Sequence, residues 1–91
     1  MLGWLLWGII VGGAVAAIII ITVSFLDEKK AQEELREKNI KKATVKDIVK
    51  DSGVTHIKLD GLDDEGNTVE VQFDTDSFDS SEIRRGTVIY T

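Results

Sequence analysis

Residues 2–26, LGWLLWGIIVGGAVAAIIIITVSFL, hold no ionisable side chain, and no other feature limits this chain as tightly. A run of roughly 18 or more such residues is long enough for a helix that crosses the hydrocarbon core of a bilayer. Ile9, Ile10, Val11 and the block Ile18, Ile19, Ile20, Ile21 would lie at mid-depth, each favouring insertion by about 0.3–0.6 kcal/mol. In lipid the backbone must satisfy its own hydrogen bonds, so helix overrides the β preference of isoleucine and valine. The run therefore predicts a single transmembrane α-helix over residues 1–26. Every charged side chain lies beyond it. The composition (43% hydrophobic, 30% charged, net charge −5 over 91 residues) is average, but its two kinds of residue are sorted apart rather than interleaved, as an anchor plus a polar domain would be.

Ala14-Val15-Ala16 has the small-x-small form of a signal-peptide cleavage site. No basic residue precedes it and isoleucines follow it, so a retained anchor is expected instead. Lys29, Lys30, Arg36, Lys38, Lys41 and Lys42 cluster just after the run. Positive charge beside a span stays inside, which predicts an N-terminus outside and a cytoplasmic C-terminal domain at the cell membrane. Trp4 and Trp7 are then candidate anchors at the outer interface, where indole rings prefer to lie. Gly8, Gly12 and Ala16 form one small-residue row and Gly13 and Ala17 another. Such rows let two helices pack closely, against a second copy or another protein's helix, although glycine is also simply common in membrane helices. A lone span with no ionisable group cannot carry a solute, so an anchor is the expected role.

Residues 27–42 (DEKKAQEELREKNIKK) are rich in helix formers, with Glu34 before Lys38 and Glu37 before Lys41 at helical spacing. Ala31, Leu35 and Ile40 are too few for a sustained heptad seam, so a charged helical juxtamembrane stalk is expected. Residues 43–91 then read as a small acidic β domain. Thr68-Val69-Glu70-Val71-Gln72-Phe73-Asp74 and Thr55-His56-Ile57-Lys58-Leu59-Asp60 alternate polar with apolar residues, the period of half-buried strands. Asp63-Asp64-Glu65-Gly66-Asn67 between them is a hairpin turn. Thr87-Val88-Ile89-Tyr90 is a last short strand. Residues 44–51 admit either a strand, through Val45, Ile48 and Val49, or a short capped helix.

The expected fold is thus one transmembrane helix plus a small all-β domain of four to five antiparallel strands, a meander or an SH3/OB-like barrel. Ile83-Arg84-Arg85-Gly86-Thr87-Val88-Ile89, a glycine turn into a final strand, resembles short membrane-anchored OB domains of the NfeD type. The proline-containing entry of that family is missing here, since the chain has no proline, and the chain is not assigned to it. The candidate core is Val45, Ile48 or Val49, Ile57, Leu59, Leu62, Val69, Val71, Phe73, Phe78, Ile83, Ile89 and Tyr90. A core this small seldom supplies more than about 3–5 kcal/mol without a disulfide, a metal or association. With no cysteine a disulfide is impossible, which points to a partner.

Residues 60–82 carry Asp60, Asp63, Asp64, Glu65, Glu70, Asp74, Asp76, Asp79 and Glu82 and no basic residue. No EF-hand register fits: counted from Asp74, position 6 is Asp79 and position 12 is Arg85. The acidic stretch repels nucleic acid and suits a basic patch on a protein. Asp74, Asp76, Asp79, Arg84 and Arg85 are the candidate partner contacts. His56 is the only histidine and falls on the outward strand face, as surface decoration. A Ser52, His56 and aspartate trio has no supporting motif. No catalytic residue, metal site or cofactor is expected. The expected function is a non-enzymatic, single-pass protein-interaction module or accessory subunit of a membrane complex. The alternative is a ligand- or divalent-ion-responsive regulator that senses through its acidic loop.

Overall fold

The computed structural model describes residues 18–91. In chain order they form β1 (Ile18–Leu26), α1 (Glu28–Glu37), β2 (Ile40–Asp51), β3 (Val54–Asp63), β4 (Thr68–Phe78) and β5 (Val88–Tyr90). One five-stranded sheet holds them in the order β1-β4-β3-β2-β5. β2, β3 and β4 form two antiparallel hairpins, β5 adds antiparallel to β2, and β1 lies parallel to β4. β1 and β2 therefore run in the same direction, with α1 as the crossover between them.

The expected transmembrane helix is overturned. Ile18–Leu26, its last nine residues, is a strand, and among the described residues no helix is long and apolar enough to cross a membrane. The physical reason lies in β4: the backbone groups along one side of this run find partners on that strand, so the run is held by the sheet instead of by the internal bonds of a helix. Ile18 through Leu26 pair with Glu70 through Phe78, and β-branched side chains suit that pleated surface. The all-antiparallel meander or barrel is corrected as well: the sheet is open, with β1 and β5 at its two ends, and one of its pairings is parallel.

α1 starts at Asp27, whose carboxylate accepts from the Lys30 amide at 2.8 Å, a side-chain N-cap. The backbone N–H of Glu28 also donates to Glu82 at 3.0 Å. The helix stops at Lys38 because Asn39 takes a left-handed φ of 61°. Residues 27–42 thus hold a ten-residue helix and the start of β2. Glu37 and Lys41 do not share the helix; the pair it carries is Lys30 with Glu34, 3.4 Å apart. Ala31 and Leu35, too few for a heptad seam, are fully buried against the sheet.

Residues 44–51 are strand, and the two-residue turn after them uses Ser52 (φ 54°) and Gly53 (φ 86°), the paired positive values of a type I′ hairpin. The β3–β4 turn is tied by Asp63, whose carboxylate accepts from the amides of Glu65 and Asn67.

The inner sheet face and α1 enclose one core: Ile21, Leu26, Ala31, Leu35, Ile40, Ala43, Val45, Ile57, Leu59, Val69, Val71, Phe73, Ile83 and Ile89. Gly61 occupies the same inner row on β3. A methyl there would stand 3.1 Å from the Val69 carbonyl and 3.2 Å from Ile40 Cγ2, so the close approach of β2 needs glycine. Leu62, Val49 and Tyr90 leave the expected core for the exposed side. With Ile57, Leu59 and Gly61 pointing inward, alternation sends Leu62 outward, and a register shift between Val45 and Asp47 puts Val49 on the outside.

Candidate functional site

α1 covers one face of the sheet, and among the described residues no element covers the other. That open face is built by the outward positions of each strand. β3 contributes His56, Lys58 and Asp60, β4 contributes Glu70, Gln72 and Asp74, and β1 adds Ile18, Ile20, Thr22 and Ser24. The register then decides which side chains meet. His56 stands opposite Asp74, Lys58 opposite Gln72 and Asp60 opposite Glu70.

Two polar clusters result. In the first, His56 Nδ1 lies 2.7 Å from Asp74 Oδ1, and the Gln72 side-chain amide donates to the same oxygen at 2.7 Å. A carboxylate only accepts, so this geometry assigns the proton to Nδ1. The 3.2 Å approach of Gln72 to His56 Nδ1 is then donor against donor, and both groups converge on Asp74. Hydrogen bonds from Gln72 and His56 hold the Asp74 carboxyl below its ordinary range. In the second cluster, Lys46 Nζ sits 2.6 Å from Glu70 and 3.2 Å from Asp60. Those two carboxylates push the Lys46 pKa up. Both clusters are therefore internally paired, while Lys58 has no ion-pair partner among the described residues.

The remaining acidic and basic candidates do not converge. Asp76 lies with Asp74, Thr22, Ser24 and Val54 around a shallow depression of about 240 Å³. The Asp79 carboxylate accepts from the amide and hydroxyl of Ser81, bonds that lower its pKa. Its backbone amide donates to the Leu26 carbonyl at 2.8 Å, so Asp79 shapes a turn at the end of β1. Arg85 pairs with Asp47 at 3.4 Å, and the Arg84 amide donates to Thr87. Ser52 bonds to Asp51 rather than to His56. Among the described residues no three His, Asp or Glu side chains gather around a point where a metal ion could sit. Gly8, Gly12, Ala16, Gly13, Ala17, Trp4 and Trp7 lie outside the described residues.

What sequence reasoning missed is the edge. Among the described residues β1 pairs on one side only, leaving its outer rim of N–H and C=O groups open along nine residues without charge or proline. Ile18 and Ile20 stand 65% and 59% exposed on it, with Phe25 at 47% near its end. The opposite edge is treated differently. β5 has three residues, and Gln32 from α1 reaches over to donate to the Tyr90 carbonyl at 2.9 Å. Natural sheets blunt their edges by shortening, charging or covering them; β5 is blunted and β1 is not. An unbroken isoleucine run has no alternation to show which members face water, so no pattern in the sequence marked Ile18 and Ile20.

Compared with known proteins, the chain matches no family model, no curated protein and no solved structure.

Proposed function

We propose that this chain is a non-enzymatic protein-interaction module that works beside a membrane. One observation carries the interaction reading: a nine-residue, uncharged edge strand with an open backbone rim and two exposed isoleucines. An added strand satisfies such a rim by main-chain hydrogen bonds and covers its alternate side chains, the mode called β-augmentation. The open face supports the same reading. Its two polar clusters, Lys46 with Glu70 and Asp60 and Asp74 with His56 and Gln72, are satisfied within the domain, which suits a recognition surface better than a reaction centre.

The membrane part rests on residues 2–17, uncharged and containing Trp4 and Trp7, which lead directly into β1. Contact with the lipid interface, where tryptophan prefers to lie, accounts for the composition of this run. The acidic domain then remains on the aqueous side, its net charge of −5 discouraging contact with anionic head groups.

The test is a photoreactive amino acid placed at position 20 of the full chain, with position 65 on the hairpin tip as control. Irradiation in cells that express the protein is expected to give a polypeptide adduct from position 20 and none from position 65. Lipid as the sole adduct at position 20 would refute the protein-interaction reading.

A further inference from the structure

We propose that the partner at the β1 edge is a second copy of this chain, paired antiparallel across a two-fold axis normal to the sheet. The inference rests on the interaction reading above and names its partner. Such an axis keeps the open faces of both copies on one side, so outward residues meet outward residues. Centred on Ile20, the pairing sets Ile20 against the partner's Ile20 and Ile18 against the partner's Thr22, covering the two isoleucines that β1 leaves to water. Inward residues meet in the same way, Ile19 against the partner's Ile21. Ten strands then form one continuous sheet.

Charge selects this occupant. Each chain carries a net charge of −5, which opposes self-association through most of its surface. β1 is the exception, because none of its residues is charged, and self-pairing there sets no like charges opposite one another. Of the carboxylates on adjacent β4, Glu70 and Asp74 are already engaged by Lys46 and by His56 with Gln72, and Asp76 lies beyond the Ile18–Thr22 stretch that pairs, near Ser24. A basic partner strand would find no carboxylate on β1 to meet. Size points the same way. Residues 18–91 must be stabilised by one small core with no disulfide, and domains of this size commonly gain stability by association. The blunted β5 edge directs growth to one side, so the assembly closes at two copies instead of extending as a fibre.

The full chain has no cysteine, so Ile20→Cys introduces a single thiol. In mild detergent, a short thiol-specific crosslinker is expected to join Ile20→Cys chains on the order of a hundredfold faster than Val88→Cys chains, because paired thiols meet at the millimolar effective concentration of linked sites. Val88 lies at the far end of the sheet. Light scattering should give twice the chain mass for the wild type and one chain mass for Ile20→Lys. Because Ile20 is exposed, that substitution leaves the core intact, and the cysteine pair tests the same contact without adding charge. Equal crosslinking rates at positions 20 and 88, or a wild type of one chain mass, overturn the proposal. A one-chain mass together with a position-20 photoadduct to a different polypeptide removes the second copy and leaves the interaction reading standing; lipid adducts alone remove both.

Discussion

His56 and Asp74 face each other across β3 and β4, with Nδ1 of the imidazole 2.7 Å from a carboxylate oxygen. They lie 18 residues apart in the chain, and only the register of the hairpin brings them together. Gln72, two residues along the same strand face, completes the cluster. Both members of the pair keep about a quarter of their side-chain surface in water, so the contact aligns strands more than it stabilises them.

Acid should reveal that cluster. Its hydrogen bonds lower the Asp74 pKa from an ordinary 3.8. A depressed carboxylate contributes stability that is present above the unfolded value and is lost as pH falls through the folded one. Asp74→Asn is therefore expected to cost about 0.2–1 kcal/mol at pH 7, the range of partly exposed pairs. The gap from the wild type should close below pH 3.8. Denaturant melts of both proteins at pH 7 and in acid check this.

Lys46 should show the opposite sign. Glu70 and Asp60 raise its pKa above 10.5, so its contribution is complete below that value and disappears as pH rises through the folded pKa. The group lies at the surface, 38% of its side chain exposed, and salt should screen the attraction strongly. Lys46→Met is expected to lower the thermal midpoint slightly in dilute buffer at pH 7, with the difference shrinking in 1 M salt. A midpoint difference independent of salt would argue against the ion pairs.

Leu26 separates the strand from the helix once expected there. It is 1% exposed in the core, so Leu26→Ala should destabilise the fold by about 2–5 kcal/mol, read by denaturant titration. If residues 18–26 stood outside the sheet, the change would leave the stability of the β domain untouched. Leu62, 39% exposed, serves as comparison and should lose under about 1 kcal/mol on the same truncation.

Gly61→Ala tests the approach of β2 and β4 over β3. The new methyl would press on the Val69 carbonyl at 3.1 Å. Backbone cannot rotate away as a side chain can, and overpacking of this kind costs about 1–3 kcal/mol. Chemical denaturation of the purified variant gives the value.

The β3–β4 hairpin was legible in the sequence because its signals are local. Asp63 and Gly66 announced its turn, and alternation assigned Ile57, Leu59, Val69, Val71 and Phe73 to one face, whereas residues 44–51 left strand and helix both open. Counting back from the 63–67 turn even puts His56 opposite Asp74. The outward side of Leu62 followed from Gly61 lying inward, which the sequence does not mark. Asp74, Asp79 and Arg85 looked available to a partner, yet each is engaged by a side chain of its own domain, through loop and strand contacts that spacing does not encode.

Residues 18–26 show where local information stops. By itself the sequence determined that these nine residues would be removed from water on at least one side, since an uncharged β-branched run has no other stable setting. It also determined the β3–β4 hairpin, whose turn and alternation are near neighbours in the chain. The choice between lipid and protein as the solvent of that run belonged to the tertiary structure. β4 lies more than 40 residues further on, and it offers a full row of backbone partners. Hydrogen bonding to that distant strand replaces the internal bonding of a helix, a decision made by the sheet as a whole, and it leaves one edge and two isoleucines uncovered.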